Sequence, residues 1–173
     1  MGACQALSCI VLLSLFVSSS ASILNDVCKS LGASNDDIGY DYCIRFFRAF
    51  SASATADKRG LVIIAAKIIR AEAANTRNRI NALKALETNR KIARRLSDCH
   101  ALYTSALHLL DAAAKAVKSS HLQDAEANLN AALENPDVCE EGFRELGVSS
   151  PVADEDYEFT KGCSIALSIA STL

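Results

Sequence analysis

The feature that most constrains this chain is an apolar stripe that runs unbroken from Leu96 to Val117. Apolar residues recur in it every three or four positions, which is the spacing of one face of an α-helix. A stripe of this length approaches the a/d pattern by which helices pack into bundles. We therefore expect a helix over about 90–117, with these residues facing a core: Leu96, Cys99, Tyr103, Ala106, Leu110, Ala113 and Val117.

The preceding segment predicts a second long helix, over about 57–86. Asp57 has a side chain suited to cap its first turn. The polar stretch 75–79 ("NTRNR") weakens the apolar stripe without breaking it. Two long helices joined by a short link favour an antiparallel pair. The buried face expected from the three-and-four spacing contains Leu61, Ile64 or Ala65, Ile68, Ala71, Ile80 and Leu83.

The rest of the chain predicts shorter helices separated by turn signals. A third bundle helix is expected over 124–133 and is expected to be interrupted at Pro136, because the residue before a proline avoids the helical region. A short helix then resumes through Cys139. Two short helices around the turn-rich "GASNDDIGYD" are expected within 22–50. A last helix follows Gly147 and carries Tyr157, Cys163, Leu167 and Ala170.

Residues 1–21 indicate the compartment. An apolar core at 10–17 followed by small residues is the layout of a secretory signal peptide. The run is shorter than the about 20 residues that cross a bilayer. Lipidation at Gly2 is the alternative, but Ala6 stands where the myristoylation motif has Ser or Thr. We expect a secreted protein whose residues 22–173 form one domain.

Five cysteines lie beyond this signal segment, and an oxidising compartment would pair four of them. Cys28 and Cys43 flank the turn of the N-terminal hairpin, where closing a loop of about 15 residues is worth roughly 3 kcal/mol. Cys99 and Cys139 lie at similar distances on either side of the chain reversal before the third bundle helix, so antiparallel helices would bring them side by side. Cys163 is left as a free thiol on an apolar stripe, where cysteine behaves as a small hydrophobe.

These elements together predict the fold class. It is an all-α protein with two disulfides, in which an up-down four-helix bundle follows an N-terminal helical hairpin.

No pattern in the chain indicates catalysis or a cofactor. His100 follows Cys99 directly, but consecutive helical residues do not face each other, and His100 and His108 lack a third ligand for zinc. Gly-rich phosphate loops and the Gly-x-Ser-x-Gly elbow are absent from the sequence. The acids at 154–156 suit a helix N-terminus. The net charge of −2 argues against a general nucleic-acid binder. We expect no enzyme activity and no bound cofactor, metal, nucleic acid or membrane.

Two segments carry a resemblance to a known family: "LSDCHALYTSA" (96–106) and "AALENPDVCEEGF" (131–143). Together with the signal segment, the Cys-flanked hairpin and a C-terminal helix with one cysteine, they resemble the plant invertase and pectin methylesterase inhibitor family over essentially the whole mature chain. The "GYDYC" entry to the second hairpin helix is similar to members described as invertase inhibitors, among them a plane-tree pollen allergen. The resemblance implies the same bundle, the same two bridges and a free thiol at Cys163.

The resemblance also implies a function. Family members are protein inhibitors that dock on a cell-wall or vacuolar enzyme and block its active-site cleft. The target is acid invertase (β-fructofuranosidase) or pectin methylesterase (pectinesterase). In invertase inhibitors a Pro-Lys-Phe motif at the start of the third long bundle helix enters the sucrose pocket, and here His121-Leu122-Gln123 stands in its place. The target-contact candidates that follow are Lys118, Ser119, Ser120, His121, Leu122 and Gln123.

Charge gives these candidates a physical role. The active sites of glycosidases carry catalytic carboxylates, so a docking loop gains from the cations that Lys118 and His121 would supply. Histidine, with a pKa of about 6.5, is mostly charged at about pH 5 to 6, which predicts binding that weakens toward neutral pH. We expect a monomeric inhibitor of acid invertase in the apoplast or the vacuole. Pectin methylesterase is the alternative target, and a secreted bundle that inhibits nothing is the third hypothesis.

Overall fold

The computed structural model describes residues 23–173, and within them it is built from helices. Residues 23–34 form α1. The remaining elements are α2 (Gly39–Arg48), a 3₁₀ turn (Ser51–Thr55), α3 (Lys58–Leu86), α4 (Arg90–Lys118), α5 (Leu122–Arg144) and α6 (Ala153–Ala170). The signal segment expected at 1–21 lies outside the described residues.

Helices α3 to α6 form the bundle. Helix α3 packs against α4 and α6, and α5 packs against the same two helices, so the four close into a ring. The links at 87–89 and 119–121 are three residues long, which makes successive helices antiparallel. The all-α, up-down four-helix bundle expected from the sequence is confirmed.

Capping side chains set where α3 and α4 begin. The carboxylate of Asp57 accepts a hydrogen bond from the Gly60 N–H at 2.7 Å. Asn89 does the same for the Lys91 N–H at 3.0 Å. Each satisfies one backbone donor that has no partner within its helix. Both helices begin and end within one residue of the predicted bounds.

The core stripes follow the expected face on α4 and depart from it on α3. All seven stripe residues of α4 are buried. On α3, Ala71 is exposed, whereas Ala73 and Thr76 are buried. The buried face runs with a 3.6-residue period from Leu61 to Ile80, and position 71 lies on the opposite side of that face.

The interruption expected at Pro136 is wrong, because α5 continues through it to Arg144. Proline removes one helical hydrogen bond and usually breaks a helix interior. Here the buried side chains on either side stay in register along one face: Leu129, Ala132, Pro136, Cys139 and Phe143. Packing of this stripe against α4 and α6 therefore outweighs the local preference for a break.

Two disulfides tie the molecule together. Cys28 is bonded to Cys43 and joins α1 to α2. Cys99 is bonded to Cys139 and joins α4 to α5. Cys163 is free and buried in α6, where burial raises the pKa of its thiol. The thiol is therefore in its neutral form and packs as an apolar group.

The N-terminal hairpin lies against α6 and α3. A Cβ at Gly162 would come within 2.9 Å of Ile69 Cγ1 and 3.3 Å of Phe46 Cε2, so only glycine lets these helices approach this closely. The Tyr42 hydroxyl donates a hydrogen bond to Glu158 Oε2 at 2.6 Å. These contacts fix the hairpin along the side of the bundle.

Candidate functional site

The chain reverses direction between α4 and α5 through a tightly closed turn. Ser120 has φ of 61°, in the left-handed region that glycine usually occupies. The His121 N–H donates to the Ala116 carbonyl at 2.9 Å, and the Ser120 N–H donates to the Val117 carbonyl at 3.2 Å. This is the hydrogen-bond pattern of a Schellman motif. The end of α4 is thereby held in one conformation.

Arg59, at the start of α3, braces this turn from a neighbouring helix. Its Nη1 donates a hydrogen bond to Ser120 Oγ at 2.9 Å. Sequence reasoning missed Arg59, although a signal was present. Since α3 and α4 run antiparallel from the link at 87–89, the first residues of α3 must lie beside the last residues of α4. Arg59 therefore belongs to the same end of the bundle as the six candidates.

The structure brings the six target-contact candidates together on this end. Five of them are exposed and Leu122 is partly buried. His121 Nδ1 lies 4.0 Å from Asp124 Oδ2. Within the described residues, Lys118 takes part in no ion pair. Helix α5 begins at Leu122 without a side-chain cap, so N–H groups of its first turn face solvent beside the side chains of Lys118 and His121.

A groove of about 480 Å³, lined by polar side chains and by alanines, runs beside the turn between α4 and α5. Its rim includes Lys115, Ser119, His121, Asp124 and Asn128. A turn that is held rigidly next to an open groove can enter a cleft and accept a side chain of the partner. It contains no nucleophile with an activating base, so the arrangement is suited to binding.

A buried polar cluster lies in the other half of the bundle. Tyr103 of α4 donates a hydrogen bond to Asp156 Oδ1 of α6 at 2.5 Å, and Asp156 is only 3% exposed. Burial, together with the neighbouring carboxyl groups of Glu140 and Asp137 on α5, raises the pKa of Asp156 to about 8. Asp156 Oδ2, Glu140 Oε1 and Asn135 Nδ2 have no hydrogen-bond partner. Because this cluster is enclosed, it joins three helices and offers no surface to a partner.

The residues considered for catalysis and metal binding are not arranged for either. Cys99 is in a disulfide, so Cys99 and His100 form no thiolate–imidazole pair. The pKa of His100 is lowered by burial and by the nearby Lys84 and Arg77. Across residues 23–173, no three His, Cys, Asp or Glu side chains are grouped to hold a metal ion. In the same range no helix combines the length and apolar character needed to cross a bilayer.

Comparison with known proteins identifies relatives over nearly the whole chain. Residues 22–169 match the family model described as plant invertase/pectin methylesterase inhibitor. A protein from Platanus orientalis named "Putative invertase inhibitor" is 28% identical over 162 residues, covering 93% of this chain and 95% of that protein. "Pectinesterase inhibitor 12" from Arabidopsis thaliana is 28% identical over 168 residues, covering 95% and 97% respectively.

Solved structures show the same fold. The crystal structure of a pectin methylesterase inhibitor from Arabidopsis thaliana superposes with a TM-score of 0.64 at 19% identity. The match covers 88% of this chain and 97% of that one.

Proposed function

Because the chain belongs to the plant invertase/pectin methylesterase inhibitor family, we propose that it inhibits an acid invertase and that residues 118–123 contact the target at its active-site cleft. The family consists of protein inhibitors of enzymes and is not itself catalytic. The observation that carries the proposed contact is the braced, cationic α4–α5 turn at one end of the bundle.

The rigidity of the turn supports docking. A loop that must become ordered on binding loses affinity through conformational entropy, whereas a preorganised loop avoids most of that cost. The Schellman hydrogen bonds and the Arg59–Ser120 contact hold this turn in advance. The exposed side chains of Lys118 and His121 are therefore presented from a fixed backbone.

The charge of the turn supports the choice of a glycosidase target. Glycosidases hydrolyse their substrates with a pair of carboxyl groups in the active site. Lys118, the N-terminus of α5 and protonated histidine would all be attracted to such a cleft. Proline, lysine and phenylalanine are absent from 121–123, so contact here depends on these charges rather than on an aromatic insertion.

Pectin methylesterase is the alternative target. Relatives bearing either name are similar to this chain at 28% identity, so overall similarity does not separate the two targets. We place invertase first because two Platanus relatives carry that name. A bundle that has kept the fold and lost inhibition is the third hypothesis, which the changed tripeptide motivates.

The proposal includes a secreted monomer in the apoplast, with the vacuole as a second destination. The signal-peptide layout of residues 1–21 supports entry into the secretory pathway. Two disulfides support an oxidising compartment, because cytosolic proteins rarely keep them.

The test is an inhibition titration of acid invertase and of pectin methylesterase with paired variants. We expect Lys118→Ala/His121→Ala to weaken inhibition of invertase by about tenfold or more, because two exposed cations facing carboxylates are lost.

The matched control is Lys67→Ala/His108→Ala, which removes one exposed lysine and one exposed histidine from the sides of α3 and α4. It should inhibit like the wild type. Equal losses in both variants would contradict the assignment of the turn. Inhibition of the esterase alone would move the protein to the alternative target.

A further inference from the structure

Positive charge is concentrated at the tip where α3 passes into α4. Residues 77–95 contain seven basic residues and one acidic residue, although the whole chain has a net charge of −2. The single acid, Glu87, accepts a hydrogen bond from the Asn89 N–H at 2.7 Å within the link itself. The tip is therefore strongly cationic on a chain that is otherwise acidic.

Most of these cations are unpaired. Arg79 pairs with Glu155, and Arg95 pairs with Glu145 at 2.5 Å. The other five form no ion pair with any residue in 23–173. We call these five the tip patch: Arg77, Lys84, Arg90, Lys91 and Arg94.

Their placement does not serve the stability of the fold. Arg90 and Lys91 occupy the first turn of α4, which has no acidic residue, and cations there oppose the helix dipole. Burial is the main cause of the lowered pKa of His100, and the positive charges of Lys84 and Arg77 lower it further. These three basic groups therefore repel one another between α3 and α4. Residues that break local rules without a structural gain are candidates for binding.

From this arrangement we propose that the tip patch binds a linear polyuronate, a polysaccharide that carries a carboxylate on each sugar. Cations contributed by two adjacent helices suit a linear polyanion. A docked protein would need an apolar centre in the interface, and among described residues of 77–95 the only exposed large apolar side chain is Leu86. Pectin methylesterase, one of the two proposed targets, hydrolyses the methyl esters of pectin and so exposes carboxylates. The polymer on which it acts is therefore a linear polyuronate.

The position of the tip patch lets it act independently of inhibition. Helix α4 has 29 residues, so its two ends lie about 43 Å apart. This step rests on the proposed function. Because the two ends are so far apart, an inhibitor that is docked through 118–123 keeps its tip patch free. One end would hold the enzyme while the other end holds the surrounding matrix.

The test measures binding of the full mature protein to polygalacturonate at about pH 5.5, without any target enzyme. Sugar carboxylates are ionised at this pH. We expect binding that weakens steeply with salt, as electrostatic binding to a polyanion does. Arg90→Gln/Lys91→Gln/Arg94→Gln should lower the affinity by about tenfold or more while keeping the wild-type melting temperature or exceeding it.

The control variant is Lys29→Gln/Arg48→Gln/Lys67→Gln, which removes the same charge from exposed sites elsewhere. It should retain most of the affinity, and methyl-esterified polygalacturonate should not bind. Equal loss in both variants, no binding at low salt, or preferential binding to phosphatidylcholine–phosphatidylserine vesicles would each overturn the proposal. Inhibition measured on sucrose should be the same for the tip-patch variant and the wild type, which separates this test from that of the proposed function.

Discussion

The two halves of the bundle hold their helices in different ways. At the α4–α5 turn the helices are joined by exposed hydrogen bonds, including the one from Arg59 to Ser120. In the other half, α4, α5 and α6 are joined by the Cys99–Cys139 disulfide and by the enclosed contact between Tyr103 and Asp156. The contacts that join the helices are exposed to solvent at the turn and enclosed between the helices in the other half.

This difference separates stability from recognition. A buried polar group is costly unless it is paired, so changes to the enclosed contacts should affect folding strongly. Exposed hydrogen bonds contribute little to folding because water competes for them. Changes at the turn should therefore alter binding to a target more than they alter the free energy of unfolding.

The largest expected effect on stability is loss of the bridge in the enclosed half. Cys99 and Cys139 are 40 residues apart in sequence, and the Cys99→Ser/Cys139→Ser variant should lose about 4 kcal/mol of unfolding free energy. Chemical denaturation at about pH 5 measures this. The Cys28→Ser/Cys43→Ser variant, which opens a loop of 15 residues, should lose about 3 kcal/mol. A loss below about 1 kcal/mol for Cys99→Ser/Cys139→Ser would contradict the claim that enclosed contacts in this half stabilise the fold.

The next effect is a pH dependence of folding that comes from Asp156. Its pKa is raised to about 8 in the folded protein, so the folded state keeps a proton that the unfolded chain releases near pH 4. Stability is therefore greatest in acid and falls as the pH rises toward about 8, by at most about 1.4 kcal/mol per pH unit. The groups facing this carboxyl are Tyr103 on α4 and Glu140 and Asp137 on α5.

Denaturation curves of wild type and Asp156→Asn across about pH 5 to 8 would measure this dependence, and the variant should show a much flatter profile. Glu72 also has a raised pKa, of about 7, caused by burial and by Glu158. Glu72→Gln should therefore flatten the profile below about pH 7 and leave the fall between about pH 7 and 8 unchanged. Identical slopes in wild type and Asp156→Asn would show that Asp156 is not the responsible group.

The smallest expected effects concern the turns that end α4 and α5. Both close with the same hydrogen-bond pattern, around Ser120 with φ of 61° and around Gly147 with φ of 70°. Gly147→Ala should cost about 1 kcal/mol, because a side chain is strained at positive φ. Ser120→Gly should leave stability within about 1 kcal/mol of the wild type, since relief of strain offsets the lost hydroxyl.

The informative measurement on Ser120→Gly is inhibition. Removing the hydroxyl frees the turn from Arg59, so inhibition should weaken although folding is preserved. Ser120→Gly that inhibits as well as the wild type would show that bracing of the turn is not used in docking.

Local signals made most of the fold predictable. The predicted cap Asp57 marks the start of α3, and the bounds of α4 follow from its long apolar stripe. The Cys99–Cys139 pairing follows from the antiparallel arrangement, since both residues lie about equally far from the intervening turn. The location of the candidate site, at residues 118–123, was predicted from a family resemblance.

The features that could not be predicted depend on contacts between distant parts of the chain. Pro136 signals a break locally, but the stripe that keeps α5 intact is buried by other helices. Asp156 lies in the first turn of α6, where an acid is expected, and nothing local shows that it is enclosed with Tyr103. The unpaired state of the tip cations likewise depends on which acids the fold brings near.

The most direct test of the central claim is stoichiometric inhibition of acid invertase at about pH 5 by the disulfide-intact mature protein, with pectin methylesterase titrated in parallel. We predict that invertase activity falls linearly with added protein to an endpoint near one inhibitor per enzyme, and that esterase activity is affected less. Full activity of both enzymes in the presence of excess protein would contradict the account and leave a bundle of this family without an inhibitory function.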